Sequence, residues 1–257
     1  NASVGAYDSV AIDVIITIFM LLFSINFAVY FLLLTRKWRE ALASDELRFF
    51  LSVVVGATAI ITLFNMSVYD HIGDSLRYAA FQVAAIISTT GFGTADFVLW
   101  PQFSQVIIIL LMFCGASAGS TGGGMKCSRV LLLLRGIRRE IHRITHPCSV
   151  EVVKLDGKLV SEATLHTLLV FLGAYVTTIF AAALIISLDG CSFAVSFSAA
   201  LTCVSNVGPG LEAIGPSGNF AAFSTLSKGV MSLCMIIGRL EIFPILVLLS
   251  PSTWRKV

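Results

Sequence analysis

The chain has 257 residues, 57% of them apolar and 12% charged, with a mean hydropathy of +0.92. A soluble domain is about 25% charged, so this composition excludes a soluble globular domain and points to an integral membrane protein. The formal charge of +2 decides nothing in total; the distribution of the charges decides more.

Residues 1–10 carry no basic stretch, so no secretory signal peptide is expected; lacking an initiating Met, the chain is expected to begin inside a longer protein. A helix that crosses a bilayer needs about 20 apolar residues. Residues 11–34 meet that length, and so do residues 49–69, with Asn65 a mild interruption. Residues 76–88 are apolar but too short to span, which suits a re-entrant helix. Residues 103–114 begin as another span and run into glycines. Residues 166–188 span, residues 191–204 are again short, and residues 220–249 span despite Lys228 and Arg239.

Fourteen of the 17 Lys and Arg residues fall within 36–48, 126–158 and 255–256, which the positive-inside rule puts in the cytoplasm. The alternate loops carry Asp70, Asp74, Asp96, Asp189 and Glu212, with Arg77 their one basic residue. Both short segments and the loops after them therefore open to the outside.

The order span, short helix, polar loop, span occurs twice. Aligning Gly91 with Gly208 gives an offset of 117, which lays Thr89-Thr90-Gly91-Phe92-Gly93 over Asn206-Val207-Gly208-Pro209-Gly210 and Ser88 over Ser205. Such an internal repeat is one supersecondary unit used again, and here both copies have the same orientation, so the repeat is parallel. Residues 1–44 read as the last helix of a preceding unit with a cytoplasmic loop, residues 45–160 as one complete unit and residues 161–257 as the next. The fold expected from this is all-α and membrane-embedded, with tandem, parallel span–short-helix–span repeats.

A helix that stops inside the bilayer leaves backbone carbonyls that cost several kcal/mol each unless they face protein or a watery cavity. Its carboxyl end also carries roughly half a negative charge, which attracts cations. Carbonyls that all point one way need unusual dihedrals, and glycine reaches positive φ without steric penalty. A ring of such carbonyls replaces the hydration shell of K⁺ in filters of sequence TVGYG. Thr89-Thr90-Gly91-Phe92-Gly93 fits that pattern closely, with Phe for Tyr, and the second copy fits it loosely.

Four blocks extend the likeness: STTGFGTADFVLWP at 88–101, CGASAGSTGGGMKCSRVLLLLRGIRREIHRITHP at 114–147, SNVGPGL at 205–211 and GRLEIFPILVLLSPSTWR at 238–255. With them the sequence resembles the membrane subunits of the Trk/Ktr/HKT superfamily of potassium transporters, the bacterial Trk type most of all. The resemblance implies four tandem, parallel, potassium-channel-like helix–pore-helix–helix repeats around one pore, of which this chain matches the third, the fourth and the last helix of the second. It implies K⁺ uptake across the bacterial cytoplasmic membrane, no catalytic residues and no bound cofactor, with K⁺ as cargo. It implies a metal-ion path lined by the carbonyls of Thr89, Thr90, Gly91, Asn206, Val207 and Gly208, and an outer mouth shaped by Phe92, Gly93, Pro209 and Gly210. Asn206 and Pro209 depart from the pattern, so the fourth segment breaks strict fourfold symmetry and leaves room for Rb⁺ or some Na⁺. Partners implied are the lipid bilayer, a second copy in a homodimer, and a cytosolic nucleotide-binding regulatory ring docked near the basic stretch 135–143; nothing points to nucleic acid.

Gly115, Gly119, Gly122, Gly123 and Gly124 fall within ten residues of what should be a spanning helix, at about 1 kcal/mol each against Ala. The helix should break there. The run GSTGGGMK fails the phosphate-loop spacing, because Met125 and Cys127 flank Lys126. A mobile intramembrane loop beneath the filter is the better reading; by resemblance it is a gate built of Gly119, Gly122, Gly123 and Gly124. Arg239 is the second anomaly, since a mid-span Arg costs about 2.5–3.5 kcal/mol and marks a cavity or ion path. The offset of 117 sets it level with Gly122, where its charge would oppose cations and pair with loop carbonyls. Glu241, two residues on, does not face it; an ion pair with another unit is the structural alternative.

Asp70, Asp74, Asp96 and Glu212 either concentrate cations or are ordinary solvated loop charges. Asp13 is expected near the outer end of its helix with no special role, and His142, His146 and His166 show no ligand spacing. The six cysteines are scattered and imply neither a disulfide framework nor a metal site. The competing function is a Na⁺- or H⁺-coupled secondary transporter of another substrate, for which inverted repeats and a buried midplane acid would be expected.

Overall fold

In the low-dielectric interior of a bilayer every backbone N–H and C=O must be paired within its own segment, so the apolar runs of this chain wind into helices. The computed structural model describes residues 3–146 and 151–240, with Pro244 and Val247. Helices α1 (Val10–Ser24), α2 (Phe27–Leu34), α3 (Trp38–Ala43), α4 (Asp45–Asn65) and α5 (Ile72–Ile87) come first. Then follow α6 (Gln102–Cys114), α7 (Cys127–Thr145), a small antiparallel hairpin of β1 (Lys154–Leu155) and β2 (Lys158–Leu159), α8 (Glu162–Ile186), α9 (Phe193–Ser205) and α10 (Thr225–Leu240). Residues 241–249 of the 220–249 span, Glu241 included and Pro244 and Val247 excepted, and the basic pair 255–256 lie outside the described residues.

Helix α4, and α8 with its 3₁₀ extension, are long and apolar enough to cross a membrane. Both start with local chemistry suited to a helix amino end: Asp45 and Glu46 fill the first turn of α4, and the Ser161 hydroxyl accepts the Thr164 N–H at 3.2 Å ahead of α8. The short runs are helices α5 and α9. Each lies against its preceding span, α5 on α4 and α9 on α8, and α9 also packs on α10. Their second halves are buried all round, Phe81 to Ile87 in α5 and Ser198 to Ser205 in α9, as expected of helices at the centre of a bundle rather than on its surface. Phe50, Ile61, Ile87, Ile108, Ile179 and Leu201 tie these helices into one core.

Two expectations are corrected. Residues 11–34 are not one continuous helix: α1 and α2 meet at a 91° bend. The reason is Asn26, whose side chain accepts the Ala28 N–H at 2.9 Å and so caps a new helix, while Ile25 is extended. The backbone groups freed at the bend are taken up by the glycine-rich segment, since Ser117 N–H donates to the Ser24 carbonyl at 3.0 Å and Phe27 N–H to the Gly119 carbonyl at 3.2 Å.

Asp13 likewise is no idle surface charge. Its side chain is 3% exposed and accepts a 2.6 Å hydrogen bond from Arg77 Nε, joining α1 to α5. A buried carboxylate persists only when paired, and removing one partner strands the other. Asp13→Leu is expected to destabilise the protein by about 3 kcal/mol, and the double variant Asp13→Leu/Arg77→Met to recover most of that loss. Unfolding in detergent of the three proteins checks it; a silent single variant would remove the pair from the list of stabilising contacts.

Candidate functional site

The two segments aligned in sequence leave their helices by the same backbone route. After α5, Thr89 turns left-handed at φ +56°; after α9, Asn206 does so at φ +56°. Thr89 N–H donates to Ile86 O at 3.1 Å and Asn206 N–H to Cys203 O at 3.2 Å. Thr90 N–H reaches back to Ala85 O at 3.0 Å and Val207 N–H to Thr202 O at 3.0 Å. Every residue here is matched at the offset of 117. A left-handed residue followed by a long backward hydrogen bond is how a helix is terminated with its last carbonyls satisfied. Asn tolerates that conformation, whereas a β-branched Thr pays strain for it, of order 1–3 kcal/mol, which the surroundings have to offset.

The segments face one another. Gly91 has φ +73°, and a Cβ built on it would lie 2.1 Å from the Val207 carbonyl oxygen. Gly208 has φ +118° and opposes the Gly91 Cα. Thr90 and Gly208 are exposed, and Val207 is buried. Of the residues assigned to the mouth, Phe92 and Pro209 keep some exposure while Gly93 and Gly210 are buried.

The glycine-rich segment presses on both helix ends from the other side. It runs from the end of α6 to the start of α7, breaking the span where the glycines predict. Gly123 N–H donates to Thr89 Oγ1 at 2.7 Å, which holds the strained threonine. A Cβ on Gly123 would sit 2.8 Å from the Ser205 carbonyl, so only glycine allows the loop this close to the carboxyl end of α9. Gly122 and Gly123 are buried, Gly124 is partly so, and Gly119 is exposed against the Asn26 side chain. Arg239 Nη1 donates to the Thr121 carbonyl at 3.1 Å, and Lys126 Nζ donates to the Gly122 carbonyl. Asn206 Nδ2 donates to Met235 O at 3.1 Å, one turn before Arg239 on α10. A polar route thus runs from Thr89 through the loop to Arg239 and back to Asn206. Beneath it lies a cavity of about 280 Å³ between the loop and Gly238–Arg239.

One anchor of this loop escaped the sequence reading. Glu46, 6% exposed, accepts N–H from Ala118 at 2.6 Å and Ser128 at 3.2 Å, and Nδ2 of Asn26 at 3.4 Å. It thereby joins both ends of the loop to the α1–α2 bend. Its place in the first turn of α4 disguised it as a helix-dipole residue. Glu46→Ala leaves buried donors unpaired at about 1–3 kcal/mol each, so amide exchange across residues 116–128 is expected to accelerate by at least about tenfold. Exchange mass spectrometry reads this directly; unchanged protection there would mean the loop is held without Glu46.

What family these contacts belong to is settled by the sequence as a whole, for residues 1–256 match TrkH, the cation transport protein. The chain belongs to the TrkH family. The Trk system potassium uptake protein TrkH of Salmonella typhimurium is 35% identical over 263 residues, which take in 100% of this chain and 53% of that protein. TrkG of Escherichia coli K12 is 31% identical over 261 residues, with the same 100% and 53%. The crystal structure of the potassium transporter TrkH from Vibrio parahaemolyticus superposes with a TM-score of 0.88 at 32% identity, covering 99% of this chain and 55% of that one. The chain therefore spans about half the length of the TrkH relatives it matches, and like them it is a multi-pass membrane protein.

The remaining candidates within this TrkH-family chain stand apart from this cluster of contacts. Asp96 accepts the Val98 N–H at 3.0 Å, capping the 3₁₀ turn at Phe97–Leu99, and Glu212 accepts the hydroxyl of Ser192, the residue that caps α9, at 2.7 Å. Asp70 and Asp74 are solvated or nearly so. His142 pairs with Glu151 at 3.2 Å and stacks on His146, and no metal-holding group of His, Cys, Asp or Glu occurs among the described residues. In the basic stretch Arg135 bonds Asp45 at 2.8 Å and Arg139 bonds Glu162; Arg138 and Arg143 are exposed, the latter 4.0 Å from Glu140.

Proposed function

We propose that this chain forms half the lining of a K⁺ uptake pore in a bacterial cytoplasmic membrane, with residues 89–93 and 206–210 as two of four filter segments. The observation that carries the reading is the duplicated helix end: the same left-handed φ of +56° at Thr89 and Asn206 and the same two reverse hydrogen bonds at Thr89–Thr90 and Asn206–Val207, although the residues differ. A backbone kept while its side chains change is what carbonyl coordination requires, because the ligand set belongs to the main chain. Gly123 touches the carboxyl ends of both α5 and α9, so in this reading the two helices add their partial negative charge near one place. Kinship with named potassium uptake proteins supplies the ion.

In this reading residues 45–160 and 161–257 are successive parallel units, and the corresponding units of the full-length protein complete the ring. In this reading the glycine-rich loop closes the cytoplasmic side beneath the filter, which its contacts with Thr89 and with the Ser205 carbonyl support. Arg239 holds the loop and opposes cation passage. A homodimer and a nucleotide-binding ring docked by Arg138 and Arg143 follow from family kinship.

Rb⁺ uptake into proteoliposomes of the full-length protein tests it. Uptake that K⁺ suppresses far better than Na⁺, with no demand for a Na⁺ or H⁺ gradient, supports a filter. Uptake that vanishes without such a gradient favours the coupled transporter instead.

A further inference from the structure

Cys114 is the last residue of α6 and Cys127 the first of α7, so the two thiols bracket the glycine-rich loop. Their sulfurs lie 3.5 Å apart. The ends of the loop are held together by more than this contact: Cys127 Sγ donates to the Gly115 carbonyl at 3.1 Å, and Cys127 N–H donates to the Ala116 carbonyl at 2.9 Å. A disulfide has an S–S length of about 2.03–2.05 Å, so from 3.5 Å each sulfur has to move by less than about 1 Å. Read in sequence, the pair is hidden: twelve intervening residues match no spacing motif, and each cysteine passes for a small apolar residue.

We propose that Cys114 and Cys127 are a peroxide-sensitive modification site whose disulfide locks the loop. Cys114 keeps 8% exposure and Cys127 none, which assigns their roles. The Cys114 sulfur attacks one oxygen of hydrogen peroxide, the O–O bond breaks, and water leaves with the thiol proton, giving a sulfenic acid. The Cys127 sulfur, already in contact, then attacks the Cys114 sulfur; the S–OH bond breaks, a second water carries off the Cys127 proton, and the S–S bond forms. Two thiols lose two electrons in all, and one peroxide gains them. Burial makes the first step slow, so the site answers sustained rather than brief oxidant exposure.

The consequence for transport rests on the loop being the gate. With its ends covalently joined, neither the last turn of α6 nor the first turn of α7 can unwind to let the loop swing aside, so oxidation holds the pore shut.

The test uses full-length protein in proteoliposomes exposed to hydrogen peroxide, then alkylated and digested without reductant. A Cys114–Cys127 linked peptide is expected, with Rb⁺ uptake reduced at least about fivefold and both changes reversed by dithiothreitol. Cys127→Ser keeps a donor for the Gly115 carbonyl; it should resist the loss of uptake and accumulate a Cys114 sulfenic acid that dimedone traps. Cys114→Ala should show neither adduct nor loss. Absence of the linked peptide while the half-buried Cys191 is oxidised would overturn the site, as would equal inhibition of Cys127→Ser. A linked protein with unchanged uptake overturns the lock; if Arg239→Ala still raises uptake, the gate itself stands, and if that variant is silent too, the gate reading has failed with it.

Discussion

Gly91→Ala in the full-length protein is expected to lower Rb⁺ uptake by at least about 100-fold while the protein still reaches the membrane. Two independent penalties fall on that residue. Its φ of +73° lies in the left-handed region, where an L side chain costs about 1–2 kcal/mol. Its Cβ would lie 2.1 Å from the Val207 carbonyl oxygen, far inside contact distance, and the obstacle is backbone rather than a side chain that can swing away. The relief available is for one of the facing segments to retreat, and both carry the carbonyls proposed to replace water around the ion. Dehydrating K⁺ demands ligand positions that hold to a fraction of an ångström, so a forced retreat of this size removes coordination, not merely stability. Gly73→Ala is the matched control: it lies in the first turn of α5 with nothing within 4 Å of its Cβ, and it should leave uptake unchanged. Full uptake by Gly91→Ala would show that ions do not pass between these segments.

The legibility of this molecule from its residues divides along a physical line. Helices such as α4 and α8 were legible because the bilayer imposes a length and an apolar composition that few other structures satisfy. The break after Cys114 was legible because clustered glycines make continued helix costly. The repeat marked the ends of the two short helices, but the left-handed turns at Thr89 and Asn206 were not legible, for neither residue by itself announces one. What stayed hidden was set by partners far away in sequence. Asn26 reads as one polar residue in an apolar run until the loop around Gly119 takes the backbone groups that a bend sets free. Asp13 and Arg77 read as solvated charges until α1 is laid on α5. Glu46 reads as first-turn decoration until Ala118 and Ser128 point their N–H groups at it. Periodicity and composition report what a segment is; they carry no record of which segments meet.

Arg239→Ala is expected to raise Rb⁺ uptake by roughly tenfold or more, since a hydrogen bond from a charged donor is worth about 1.5–3 kcal/mol and its loss shifts the loop toward the open state by that amount. The contact concerned is Nη1 to the Thr121 carbonyl at 3.1 Å, at the loop's edge and beside the cavity. Two mechanisms predict the same sign. In one, Arg239 is a latch that holds the loop against the carboxyl ends of α5 and α9. In the other, its charge is itself a barrier to a cation arriving below the filter. Arg239→Gln separates them, because glutamine keeps an amide donor for the Thr121 carbonyl but carries no charge. If the latch dominates, Gln retains low uptake and Ala alone is fast; if the charge dominates, both are fast and their gain shrinks as ionic strength rises, because salt screens an exposed charge. Amide exchange of residues 119–124 gives the second reading, faster in Ala than in Gln under the latch and unchanged in both under the barrier. Because Asn206 bonds Met235 on the same helix, a loosened α10 would also disturb the filter segment, so a latch variant should lose some K⁺ over Na⁺ preference as it gains rate. Unaltered uptake in Arg239→Ala, with exchange unaltered as well, would detach both the arginine and the loop from gating.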